Sequence, residues 1–281
     1  VDPNGTNTQY VMDVITLPTS TAEADRLGLN IDGDEQGRPD NALGSILSAV
    51  ASQGGNIDLQ GSIDEQVQDG SIIILANLKA TSVSMAAGAG VWVFLGDSDT
   101  VSPAACTDPM DLNTCGKHLD GNATFTLDAQ SPTDALITGP IIGGKFNGGP
   151  GKVTIDVSLG GSDSIRMNLI GARIEIGSVS ADGLMSGKLG GAITETELNN
   201  NVLPAMADVL QATITEDCTG TAIGTCPGVD CKPCGCEDGS GGRTMLDLFD
   251  DDDSCDINTA ELKASSLISS LLAPDVDLLD G

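Results

Sequence analysis

Apolar residues in this chain recur with two different periods. Val153, Ile155, Val157 and Leu159 alternate with Lys152, Thr154, Asp156 and Ser158, which predicts a half-buried antiparallel strand. Ile165, Met167 and Leu169 keep the alternation, and the phase then moves to Ile170, Ala172, Ile174 and Ile176. Gly171 stands at the shift, where a bulge or sharp bend is expected. The pattern is predominantly that of strands over 56–179, with further strands over 71–84, 90–95, 123–127 and 135–142. Paired glycines at 143–144, 148–149, 160–161 and 190–191 fit hairpin connections. Helical spacing appears on either side. An extended arm over 1–31 holds a short helix at 21–27, and Leu43, Ile46, Leu47 and Val50 make one apolar face of a helix over 42–51. A longer helix over 194–213 has Thr194 as N-cap, Glu197 completing a capping box, and Leu198, Val202, Met206 and Val209 on one face; Pro204 should kink or restart it. Two more helices are expected at 245–249 and 259–272, the last ended by Pro274.

Composition narrows what such a chain can do. At 281 residues with 40% hydrophobic content it can bury a core as one large domain or two small ones. Its apolar volume is aliphatic, since Tyr10, Trp92, Phe94, Phe125, Phe146 and Phe249 are its only aromatics. Little is left for stacking on nucleobases or sugars. A formal charge of −29 repels phosphate backbones and anionic membranes, which argues against nucleic acid as a partner. The same charge repels itself, and bound divalent cations would relieve it. Eight cysteines accompany one histidine, His118. Cys106 and Cys115 flank a polar loop, while Cys218, Cys226, Cys231, Cys234, Cys236 and Cys255 crowd the C-terminal third. A thiolate cluster from Cys226, Cys231, Cys234 and Cys236 matches no common zinc spacing, so disulfides in an oxidising compartment are the better reading. No apolar run is long enough to span a bilayer. The start at Val1 fits a processed form, and an upstream lipid anchor is compatible with it.

The segment from Phe249 to Leu262, FDDDDSCDINTAEL, carries the sharpest chemical signal. With Asp250 as position 1, Asp252 falls at 3, Ser254 at 5, Asp256 at 7, Asn258 at 9 and Glu261 at 12. That spacing gathers carboxylates, a hydroxyl and a backbone carbonyl around one hard cation. The segment resembles an EF-hand calcium loop, with Phe249, Ile257 and Leu262 supplying the apolar pattern of its flanks. It departs from the family at position 6, where Cys255 replaces glycine. Tying Cys255 to the cysteines between Cys218 and Cys236 would hold the turn from outside. The competing reading is four consecutive aspartates solvated on a loop. A second run, Asp32-Gly33-Asp34-Glu35-Gln36-Gly37-Arg38-Pro39-Asp40, resembles the short calcium loops of thrombospondin type 3 and dockerin modules, with Asp32, Asp34, Gln36 and Asp40 as ligands. Gln36 is neutral and Leu43 offers nothing at position 12, so this site should be the weaker. A plain turn, with Asp40 or Asn41 capping the following helix, explains it equally well. Residues 275–281 read as the start of a third loop.

Catalytic patterns are scarce. His118 has no G-x-S-x-G to serve and reads by default as a surface histidine. Gly151-Lys152-Val153-Thr154 fails as a phosphate loop, because Phe146 and Val153 stand where glycine and a hydroxyl are required. The segments LNIDGDEQGRPDNALGSIL and FDDDDSCDINTAELKASSLISSLLAPDVDLLDG, joined by a glycine-rich strand region, resemble large secreted or surface-anchored proteins of Gram-negative bacteria, myxobacteria and their relatives in particular. That resemblance implies compartment and calcium, not a reaction. The expected fold is α+β: an antiparallel, glycine-rich β-sheet region flanked by amphipathic helices, with a C-terminal disulfide-tied EF-hand-like unit. Its parts are an arm, loop and helix over 1–55, a β-rich core with closing helix over 56–217, and a Cys-rich connector with the calcium unit over 218–281. The expected function is that of a calcium-stabilised, non-enzymatic extracytoplasmic protein, secreted, periplasmic or on the outer surface. Its partners would be other surface proteins or copies of itself. A lipid-binding module is the alternative and a glycan-active enzyme the third.

Overall fold

The computed structural model describes residues 1–18, 20–33, 39–42, 44–45, 59–98, 114–129, 131–158, 164–219, 233–271 and 276. Strands β1 (Thr6–Val11), β2 (Ile74–Ala80), β3 (Met85–Ser98), β4 (Phe125–Leu127), β5 (Leu136–Ile142), β6 (Lys145–Ser158), β7 (Ser164–Val179) and β8 (Leu184–Ala192) form one antiparallel sheet. Its order is β1-β2-β3-β5-β6-β7-β8, with β4 pairing on β3. β1 and β8 are opposite ends of that order, yet Tyr10 on β1 donates its hydroxyl to the Ser180 carbonyl in the β7–β8 turn at 2.6 Å. The sheet must therefore curl, and it forms a half-barrel. Alternation decides which face lines the inside: Leu78, Val91, Val93, Ile137, Ile141, Phe146 and Ile174 belong to one buried cluster. Ile142 pairs with Lys145 across Gly143 and Gly144, whose φ values of 59° and 75° suit a two-residue hairpin turn. The phase shift at Gly171 is a bulge. Pairing with β8 slips between Ile170 and Arg173, and Gly171 takes φ 60°.

Helix α1 (Thr21–Leu27) falls where the sequence places it, with the Ser20 hydroxyl accepting from the Glu23 amide. Helix α2 (Leu59–Asp69) lies in a region expected to be strand. Its Ile63 and Val67 are fully buried and four residues apart, a helical spacing that polar neighbours made hard to recognise. β8 was not foreseen either, because Leu184, Met185, Leu189 and four glycines or serines give no clean alternation. Helix α3 starts as a turn at Glu195–Glu197, passes through a π-helical stretch Leu198–Val202, and continues as Leu203–Asp217 with Pro204 in its first turn. Only half of the expected capping box forms. Thr194 Oγ1 accepts from the Glu197 amide, but the Glu197 carboxylate turns to the amide and side chain of Asn168 on β7.

The C-terminal helices are α4 (Gly241–Phe249), α5 (Thr259–Ala264) and α6 (Ser266–Leu271); the single outgoing helix expected over 259–272 is broken at Ser265, which adopts ψ 126°. They build a second core on α3 from Met206, Leu210, Ile214, Met245, Phe249 and Leu262. Met167 of β7 belongs to this cluster, and Ile155 and Ile193 touch both cores. The helical unit is thus packed onto one end of the sheet. Among the described residues no helix is long and apolar enough to cross a membrane. Most of the helix expected over 42–51 lies outside the described residues; at its start Asn41 Oδ1 accepts from the Gly44 amide, so Asn41 caps that turn.

Candidate metal centre

The acidic loop joins α4 to α5. Ser240 caps α4 by accepting from the Arg243 amide, and Met245, Leu246 and Phe249 anchor that helix in the core. Asp250 is its C-cap, and its carboxylate folds into the loop: Oδ1 accepts from the Ser254 amide and Oδ2 from the Cys255 amide, each at 2.9 Å. Asp252 Oδ1 accepts from Ser254 as well, at 3.1 Å. To make these turns the backbone enters the left-handed region at Asp253 (φ 56°) and Cys255 (φ 69°). Aspartate visits that region with some ease, whereas cysteine does so at a cost of about 1–2 kcal/mol. Cys255 thus takes the conformation that glycine would supply at position 6.

The loop closes on Glu261. It stands in the first turn of α5 and is only 8% exposed. Glu261 Oε2 accepts from the Asn258 amide at 2.9 Å while Asn258 Oδ1 accepts from the amides of Ala260 and Glu261, a complete capping box. Glu261 Oε1 accepts from the Asp251 amide at 3.2 Å. One oxygen each from Asp250, Asp252 and Glu261 lies within 4.8 Å of the others. Oxygens bound to one calcium ion at about 2.4 Å can be at most about 4.8 Å apart, so a single ion of that size can touch all three. Three carboxylates at that spacing repel one another, least where Asp252 is exposed to solvent, and a bound cation would offset that repulsion.

The other positions named by the spacing make contacts of their own within the loop. Ser254 donates its hydroxyl to the Asp256 carbonyl at 3.4 Å, and the Asp256 side chain is exposed. The Asn258 side chain is committed to capping α5. Cys234 and Cys255 also approach Asp250, but their sulfurs are bonded to each other and supply no thiolate. The donors are oxygens, which favours a hard cation over a soft one.

Two disulfides and two hydrogen bonds fasten the loop and the helix leading into it, and only disulfides among these cysteines were legible beforehand. Cys255 is joined to Cys234, within the expected group of cysteines, and a second disulfide links Cys218 at the end of α3 to Cys236. Sequence reasoning missed the other two. The Ile257 amide donates to Gln211 Oε1 on α3 at 2.9 Å, and the Gly242 amide donates to Asp217 Oδ2 at 2.7 Å. A glutamine or aspartate on a helix carries no periodic signal that it will reach a distant backbone group. Cys226 and Cys231 lie outside the described residues, as does Cys106; Cys115 is disulfide-bonded. Disulfides of this kind persist in oxidising compartments.

At the second run, Asp34 and Gln36 lie outside the described residues. Asp40 Oδ2 accepts from the amides of Ile31 and Asp32, at 2.6 and 3.3 Å, and Leu29 and Asp40 form an isolated bridge. These bonds close the run into a loop whatever it holds. The third run, over 275–281, is outside the described residues apart from Val276.

His118 is not the surface residue its neighbourhood suggested. It is 1% exposed in a short 3₁₀ turn (Lys117–Leu119) beside α2, where the Gly116 amide donates to the Gln68 carbonyl. Burial pushes its pKa below the ordinary value; the Val67 backbone and the charge of Asp69 oppose part of that shift. Neither ring nitrogen makes a hydrogen bond of good geometry with the described residues. Comparison of the chain with models of protein families, with curated proteins and with solved structures gives no match.

Proposed function

We propose that this chain is a calcium-stabilised, non-enzymatic extracytoplasmic protein, a component of a surface, matrix or assembly. The observation that carries the reading is the convergence of Asp250, Asp252 and Glu261 within 4.8 Å, on a loop whose backbone is already turned at Cys255. Calcium fits better than magnesium because it accepts irregular sets of six to eight oxygens at longer distances, whereas magnesium demands a near-ideal octahedron. The Ser254 hydroxyl, backbone carbonyls of the loop and water would complete its shell. Secretion to the periplasm, the outer surface or beyond accords with the disulfides and with an ion plentiful outside the cytoplasm.

A structural role is supported by where the site stands. It clamps α4 to α5, and both pack in the core shared with α3, so bound calcium stabilises the unit as a whole. The inner face of the half-barrel is occupied by contacting side chains, Leu78, Ile137, Ile141 and Phe146 among them, which suits a scaffold better than a carrier of apolar ligands. Thermal unfolding in calcium and in EGTA tests the reading. The melting temperature is expected to fall by many degrees in chelator; an unchanged curve removes calcium from the account.

A further inference from the structure

We propose that the Cys234–Cys255 disulfide is a redox latch on the cation site, so that reduction of this one bond lowers calcium affinity. The inference rests on the calcium reading above and adds its regulation. Cys255 combines two roles that are normally separate. Its amide orients Asp250 by donating to Oδ2, and its sulfur is bonded to Cys234, which itself takes a left-handed φ of 56°. The bond ties the loop to the neighbourhood of the Cys218–Cys236 bridge, at the end of α3. While it is intact, Cys255 is held at φ 69°, a conformation that cysteine does not favour. Once it opens, nothing covalent opposes relaxation to negative φ. The amide then swings away from Asp250, and the carboxylates lose the arrangement that places them around one ion.

The bond is also reachable. Both cysteines line a cleft of about 270 Å³ with Gln211, Ile214, Thr215 and Thr219, and Cys255 is only half-buried. A dithiol reductant can enter as thiolate, attack one sulfur to form a mixed disulfide and release the other as a thiol; its second thiol then resolves the intermediate. Two electrons and two protons pass to the protein, leaving Cys234 and Cys255 as thiols and the reductant as a disulfide. Linkage makes the effect reciprocal: if reduction weakens calcium binding by some factor, saturating calcium must disfavour reduction by the same factor.

Calorimetric titration of the full chain with calcium chloride tests this in four samples: oxidised, reduced with dithiothreitol, Cys234→Ser/Cys255→Gly and Cys234→Ser/Cys255→Ser. The oxidised chain is expected to bind, and the reduced chain to bind at least tenfold more weakly. The glycine variant can adopt positive φ without a covalent tie, so it should bind like the oxidised chain and ignore reductant. The serine variant, lacking both tie and glycine, should bind weakly under either condition. Equal affinity of the oxidised and reduced chains overturns the latch while leaving the calcium site standing. Absence of binding by the oxidised chain overturns the calcium reading itself. Loss of affinity on reducing the glycine variant would assign the effect to the Cys218–Cys236 bond instead and overturn the latch. Circular dichroism of each sample reports folding, and alkylation of Cys234 and Cys255 followed by mass spectrometry gives the second measurement. In a buffered dithiol, the reduced fraction should fall when calcium is added; an unchanged fraction contradicts the latch even if a variant fails to fold.

Discussion

Glu261 is a carboxylate with little access to water, and it faces two other carboxylates. Amides from Asp251 and Asn258 offset part of its burial but leave the mutual repulsion in place. Glu261→Gln removes the charge and leaves one acceptor oxygen where the Asp251 and Asn258 amides now use two, so calcium affinity is expected to fall tenfold or more by calorimetry, while in EGTA the relief of repulsion and the lost acceptor oppose each other. Equal affinity would refute the register that puts Glu261 at position 12. Gln211 makes a different claim. Its Oε1 is the acceptor for the amide of buried Ile257, and Gln211→Ala leaves that donor unpaired, a loss of about 1–3 kcal/mol that urea unfolding will measure. His118 sets a pH dependence. Burial lowers its folded pKa from 6.5, so as pH falls through that value the unfolded chain takes up a proton that the folded chain does not. The contribution of neutral His118 is therefore complete above about pH 6.5 and is lost below it. To isolate the contribution of His118, the measurement is the difference between parent and His118→Gln unfolding at about pH 7 and about pH 5.5. The parent should lose more stability on acidification; equal losses would show that His118 carries no pH dependence.

At the scale of elements, legibility followed the regularity of the pattern. β6 and β7 showed themselves because one face is buried and the other solvated, and the glycine at the phase shift is a real bulge. Glycine there answers a backbone requirement. Gly171→Ala must force φ 60° on a residue with a Cβ and is expected to cost about 1–2 kcal/mol in urea unfolding. Gly183→Ala is the control, since its Cβ would meet nothing within 4 Å and its φ is not positive; it should shift stability by less than about 0.5 kcal/mol. α2 and β8 were illegible for opposite reasons. α2 buries too few apolar residues to stand out, and β8 is an edge strand whose one paired side asks little of its residues. At the acidic loop, ligand spacing and backbone capping draw on the same residues. Spacing named Asp250, Asp252 and Glu261, but it also named Asn258, whose side chain the capping box claims. Local backbone needs competed for that ligand, and ligand spacing alone does not register such competition.

For the whole molecule the governing quantity is a net charge of −29 on a chain with twelve basic residues. Folding brings these charges together, so two kinds of cation effect must be separated: screening of the overall field, and occupation of one site. Screening responds to any salt, because the Debye length shrinks from about 30 Å at 0.01 M to about 3 Å at 1 M. In EGTA, adding sodium chloride over that range is therefore expected to raise the melting temperature of the parent and of Glu261→Gln alike. Site occupation depends on the ion and on the ligands. At 1 M sodium chloride, where long-range repulsion is already suppressed, millimolar calcium should still raise the melting temperature of the parent, by an amount growing with the logarithm of its concentration. Magnesium at the same concentration should do less, since a loop of uneven oxygens cannot offer it an octahedron. Glu261→Gln should lose most of the calcium increment and keep the sodium one. If calcium adds nothing at high salt, its effect at low salt is general screening, and the acidic loop is a solvated run of aspartates.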